Sequence, residues 1–153
     1  MIRLNKEKKN IPVLEYTILA AVIILPLLFV FQIKGRDIRL ARYVFNGLVN
    51  GSLGVEKHID WERLRGLDMD VGAAYGKFST EIERAGYRKS FIRYFSKGFK
   101  EAGAGLKSFV NWRIYSKDSV KTVVAADYPG RKKTLLLTFP SAGRKKLYSM
   151  QWK

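Results

Sequence analysis

Three patterns of hydrophobic and polar positions follow one another along the chain. The first has no polar side: residues 11–33 read IPVLEYTILAAVIILPLLFVFQI, and 16–31 carries no charge. Helix of that length rises about 34 Å against a hydrocarbon core of about 30 Å, so the pattern predicts a membrane-spanning helix. Glu15 falls at its leading edge, Gln32 at its far edge and Pro26 inside it, where spanning helices tolerate proline better than soluble ones do. The run exceeds a signal-peptide core of about 7–15 residues, and no small-x-small cleavage pattern follows in FQIKGRD. An uncleaved signal anchor is the expectation.

The second pattern is helical. Over 36–50, Ile38, Ala41, Phe45, Leu48 and Val49 recur at helical spacing, with Arg36, Arg39 and Arg42 on the other side, and Asn50-Gly51 closes the run. A short helix is expected over 56–66, capped by Asp60, with Trp61 and Leu64 inward. Leu67, Met69 and Val71 alternate with Asp68 and Asp70, which suggests a short strand; 72–78 reads as a turn or a helical piece. The clearest helix spans 80–102. Thr80 with Glu83 has the capping-box spacing, and Tyr87, Phe91, Phe95 and Phe99 step by four, joined by Ile82 and Ile92. Arg84, Arg88, Lys89, Arg93, Lys97 and Lys100 fill the remaining positions, and Gly103 and Gly105 stop the helix. This aromatic stripe reads as core.

The third pattern has period two. Alternation over 106–116, 119–128, 133–139 and 145–152 predicts four strands, separated by Lys117-Asp118, Pro129-Gly130 and Pro140-Ser141-Ala142-Gly143. A long helix with one apolar stripe and a meander needing a cover for one face pack most economically together. The predicted fold is α+β: an N-terminal transmembrane helix, then helices on a curved four-stranded antiparallel sheet. The predicted domains are a basic tail at 1–10, the span at 11–33 and an α+β soluble domain at 36–153.

Composition narrows the chemistry. There is no cysteine, which excludes disulfides, thiol nucleophiles and thiolate metal sites; the single histidine, His58, excludes a histidine-based metal cluster. The formal net charge is +16; the first 33 residues hold four Lys/Arg and two Asp/Glu, leaving 25 against 11, or +14, for the remainder. So basic a domain attracts polyanions: nucleic acid, anionic lipid or an acidic protein. Arg3, Lys6, Lys8 and Lys9 before the apolar run balance Lys34, Arg36, Arg39 and Arg42 after it, so the positive-inside rule does not set orientation. A short tail before one apolar segment resembles a signal anchor, which would export the domain from an inner membrane.

Short helices, a short strand near 67–71, the 80–102 helix and strands ending in Tyr148-Ser149-Met150-Gln151-Trp152 resemble the nuclear transport factor 2-like, cone-shaped superfamily. Tail, anchor and domain together resemble the inner-membrane assembly subunit of type IV secretion machines. The resemblance implies a scaffold role, with partner proteins or self-association. Enzymes of that superfamily use Asp, His or Tyr at the mouth of an apolar pocket, for which His58 with Asp60 and Asp68 with Asp70 are the residues of the right type here. His58 and Asp60 are two apart and would not share a helix face; two carboxylates alone make a poor cation site. Gly103 and Gly105 lack the lysine of a phosphate loop.

The basic triplets Arg131-Lys132-Lys133 and Arg144-Lys145-Lys146 fall at successive turns, hence at opposite ends of a strand, with Lys117 and Lys121 joining the second end. With Arg36, Arg39 and Arg42 they are the candidate contacts to polyanions or headgroups. Charge so dispersed favours general affinity over sequence-specific readout. The expectation is a membrane-anchored, noncatalytic assembly subunit without cofactor or metal, its partners the lipid bilayer and membrane proteins. A tethered binder of nucleic acid or anionic lipid and a small-ligand pocket protein or enzyme are the alternatives.

Overall fold

The computed structural model describes residues 13–153, with side chains left undescribed at 13–19, 25 and 27–34. The chain forms two compact units, 1–35 and 36–153. Helix α1 (Val13–Asn50) has Pro26 inside it. In the first unit the described side chains Ala20 to Ile24 and Pro26 are exposed.

No helix among the described residues is long and apolar enough to cross a membrane, which corrects the spanning helix and signal anchor expected at 11–33. Farther along, Arg36, Asp37, Arg39 and Arg42 charge the helix at every turn. Residues 11 and 12 of the expected span, and the tail at 1–10, lie outside the described residues. The bilayer partner and inner-membrane location rested on that helix.

The second unit is α+β around one six-stranded mixed sheet, where four antiparallel strands were expected. Its strands are β1 (Arg65–Gly66), β2 (Met69–Asp70), β3 (Val110–Lys117), β4 (Lys121–Tyr128), β5 (Lys133–Pro140) and β6 (Ser149–Trp152), in the order β2-β1-β6-β5-β4-β3. β3 to β6 form the expected meander, with Val124 opposite Leu137 and Leu137 opposite Met150. β1 joins β6 in parallel. The added pairing is non-local: Leu147 N–H donates to the His58 carbonyl (2.8 Å) and Asp60 N–H to the Leu147 carbonyl (2.9 Å). These bonds draw the chain at Ile59 into an extended path. The helix expected over 56–66 is therefore replaced by a 3-10 turn, Leu53–His58, and then strand β1.

The predicted strand at 67–71 is a hairpin instead. Gly66 pairs with Met69 across a two-residue loop, and Leu67 and Asp68 both take positive φ, +51° and +69°. That is the type I′ turn matching strand twist, which normally selects Asn or Gly. Leu67 tolerates it because its side chain packs against the core and its N–H donates to the Met150 carbonyl (3.1 Å). Asp68→Gly is expected to raise stability by about 0.5 kcal/mol, read by thermal denaturation; an unchanged or lower midpoint would show that the turn carries no strain.

Helix α2 (Val71–Tyr75) begins on Asp70, whose side chain accepts from Ala73 N–H. Helix α3 (Glu81–Glu101) starts with the Thr80–Glu83 capping box. Ala41, Val44, Phe45 and Leu48 of α1 are fully buried with Ile92, Leu135, Leu137 and Met150, and Phe95 is buried beside them. Phe45 is the hub, its ring 4.7 Å from Phe109, 5.5 Å from Phe99, 6.0 Å from Trp112 and 6.5 Å from Phe95. α1 passes so close to the 3-10 turn that a Cβ on Gly47 would sit 2.0 Å from the Val55 side chain. Ser96 Oγ then ties α3 to the end of α1 by donating to the Val49 carbonyl at 2.8 Å.

Candidate functional site

α3 presents three different surfaces. Ile92, Phe95 and Ser96 face the core. Lys89, Arg93, Lys97 and Lys100, at four- and three-residue steps, form an exposed basic stripe. Between the two lies a flank where Tyr94 is 74% exposed. Arg84 and Arg88, expected on the polar side, turn inward. Arg88 donates to Glu81 (2.7 Å), the Tyr75 hydroxyl (2.9 Å) and Glu56 (3.1 Å), which raises its already high pKa, with the Glu81 bond the largest cause. Arg84 donates to the Phe78 carbonyl and lies over the Tyr75 ring. Ile82, expected in the aromatic stripe, is 86% exposed.

The Tyr94 flank borders an apolar groove made of two adjoining cavities of about 270 and 460 Å³, which share Met69, Tyr94 and Phe95. The smaller is an aromatic slot: Phe95 and Phe99 of α3 form one wall, Tyr128 and Trp152 of the sheet the other, with Leu67 at the hairpin and Arg131 at the rim. The rings are mutually braced. Phe95 stacks on Phe99 at 4.8 Å, and Phe109 stacks on both Tyr128 (4.9 Å) and Trp152 (6.2 Å). The larger cavity continues along α3 past Tyr87, Ser90 and Phe91. Met69, on the hairpin, is 53% exposed. Among the described residues lining the groove, Arg131 is the charged one. Asp68 and Asp70 flank Met69 on the hairpin, with Asp70 3.9 Å from Arg65.

The basic residues singled out from sequence do not converge. Arg36 and Arg39 are exposed on α1, while the Arg42 guanidinium lies 6.0 Å from the Trp112 ring. Arg131, Lys132 and Lys133 sit at the start of β5 and Arg144, Lys145 and Lys146 beyond its end. At that second end two lysines serve the fold. Lys117 Nζ donates to Asp37 Oδ2 at 2.8 Å and Lys145 Nζ donates to Asp37 Oδ1, while the Asp37 side chain is only 5% exposed. Burial alone would raise the Asp37 pKa, but the two lysine hydrogen bonds and charges outweigh it and hold it below the usual carboxylate range.

The pairs weighed for catalysis are dispersed as well. Asp60 accepts from Arg63 at 2.8 Å, while the His58 ring packs edge-on against Tyr43 at 5.3 Å, its pKa lowered by burial and by Lys57. Asp68 lies in the left-handed turn and Asp70 caps α2, so they do not share a strand face. Gly103, at φ +63°, follows the end of α3. Among the described residues, no group of three or more His, Asp or Glu could hold a metal ion. Sequence reasoning missed the groove because β3 and β4 separate Tyr128 and Arg131 from α3, and the whole meander separates Trp152 from it. The readable signal was Tyr94, an aromatic off the Tyr87-Phe91-Phe95-Phe99 step. No family model, curated protein or solved structure matches the chain.

Proposed function

We propose that the chain is a noncatalytic interaction subunit, whose 36–153 domain holds a protein partner at the face formed by α3 and the β1–β2 hairpin. The observation that carries this reading is the exposure of Tyr94 and Met69 along an apolar groove, beside the basic stripe of α3. Exposed apolar surface rimmed by charge is the usual mark of a protein-binding site. A noncatalytic role is supported by the employment of the ionic groups. Asp37, Arg88 and the Arg113–Asp127 pair each fasten one element of the fold to another.

A nucleic-acid reading draws on the +14 charge of the domain but has less support. The basic groups are distributed over α1, α3 and both ends of β5, where a bound strand needs a continuous phosphate track. Asp68 and Asp70 would also repel a polyanion laid across the groove.

A photo-crosslinking amino acid placed at Tyr94 or Lys97 of the full chain in its native cells tests the proposal. Discrete protein adducts at both positions, absent when the same group replaces exposed Lys57, are expected. Adducts to nucleic acid, or none above the Lys57 level, would overturn it.

A further inference from the structure

Resting on that reading, we infer that the occupant of the groove is an acidic segment of a partner protein, anchored by an aromatic side chain in the slot beside Arg131. Three features select this chemistry. The slot offers about 270 Å³ between the Phe95–Phe99 and Tyr128–Trp152 walls. A planar ring fits between such walls with offset or edge contacts to each, and an aromatic anchor in a desolvated pocket is the usual centre of binding energy. Arg131, exposed at the rim, presents the planar fork that pairs with a carboxylate. Beyond the groove, residues 34–153 carry +14, part of it in the exposed Lys89, Arg93, Lys97 and Lys100 stripe on a separate face of α3. An acidic segment is thus attracted to the domain as a whole and paired locally at Arg131.

The sign of the charge excludes the occupants nearest at hand. Residues 1–10 carry Arg3, Lys6, Lys8 and Lys9 against Glu7 and would be repelled by the +14 of residues 34–153. A second copy of the chain brings a further +16. An acidic partner is attracted, and the charges at the rim orient it: its carboxylates lie toward Arg131, and its neutral side toward Asp68, Met69 and Asp70. The anchor gives affinity through apolar contact, while the exposed charges act mainly on association rate and on the choice of partner.

The test is fluorescence anisotropy of the full chain with a labelled peptide that alternates Glu and Leu around one central Trp. Three comparison probes are used: the peptide with Lys for Glu, the peptide with Ala for Trp, and an oligothymidylate of equal charge. The Glu–Trp peptide is expected to bind as one copy per chain. Its affinity should fall at least about tenfold on Trp→Ala in the peptide, and by a similar factor on Tyr94→Ala or Arg131→Glu in the protein. Both protein positions are exposed, so unchanged circular dichroism and melting should accompany the loss; Lys57→Glu provides a matched charge change away from the groove. Absence of peptide binding, or peptide binding indifferent to Tyr94→Ala and Arg131→Glu, would overturn the assignment. Tighter binding of the oligothymidylate with the same sensitivity to Arg131→Glu would overturn it in favour of nucleic acid. If protein adducts form at Tyr94 in cells but the peptide fails, the groove is an interaction site for a partner of other chemistry. If no adduct forms, the interaction reading itself falls.

Discussion

Phe45→Ala is expected to destabilise the domain by about 3–5 kcal/mol, the largest effect of any single substitution proposed for this chain. The ring is fully buried and within 6.5 Å, centroid to centroid, of Phe95, Phe99, Phe109 and Trp112. Four edge-on or tilted partners come from α3, the loop before β3, and β3 itself. Deletion therefore opens a cavity bounded by three elements that cannot all collapse into it. Domains of this size have about 5–15 kcal/mol in total, so the variant should be largely unfolded near physiological temperature. Urea denaturation of a Phe45→Leu and Phe45→Ala pair checks the claim. Leu should recover more than half of the loss, and equal midpoints for Ala and wild type would mean that the hub contributes nothing.

The second large effect concerns the Asp37 clasp. Asp37→Ala is expected to cost about 3 kcal/mol, the lower end of the range for breaking a buried ion pair, because Lys117 can turn to water once released. Lys145→Met should cost more than Lys117→Met. Lys145 is the less exposed of the two lysines, and its loss leaves the carboxylate against a partner already half in solvent. The pH dependence follows in sign. The Asp37 carboxyl is held below its unfolded value, near about 3.9, so its contribution is fully present above that pH. It is lost as the pH falls through the lower folded value. The stability difference between wild type and Asp37→Ala should therefore be level at neutral pH and shrink in the acid range below about 4. A difference that grew on acidification would contradict the assignment.

How much of this was legible in the sequence varies with the range of the interactions concerned. Strands β3 to β6 were readable because alternation and the Pro129-Gly130 turn are local signals. The β1–β2 hairpin was not, since strands of two residues carry no period and their turn is built from Leu67 and Asp68 in place of Asn and Gly. Ile59 was drawn into the sheet by Leu147, a partner 88 positions away, and no local pattern announces that. On α3 the error was one of angle. Nine residues separate Ile82 from Phe91, which at 100° per residue sets them about 180° apart, so Ile82 faces solvent. The inward turn of Arg88 depends on Glu56 and Tyr75, which sequence order does not bring near it. The apolar run at 11–33 reads as spanning on its length, whereas no helix among the described residues is long and apolar enough to cross a membrane. The candidate site was the least legible part: its aromatic walls were visible as core, and their open end was not.

The register of β3 has a further consequence. This outer strand is eight residues long, and its pairing to β4 slips twice, between Val110 and Arg113 and again between Ile114 and Ser116, with Asn111 in the left-handed region. Such irregularities interrupt the straight run of amide donors and acceptors that a neighbouring strand would need to zip onto. At the opposite edge, β2 offers only two residues. Both borders of the sheet are thus poor templates for strand addition. At high concentration the domain should resist edge-to-edge aggregation, and a partner seeking this fold must take hold of its side chains.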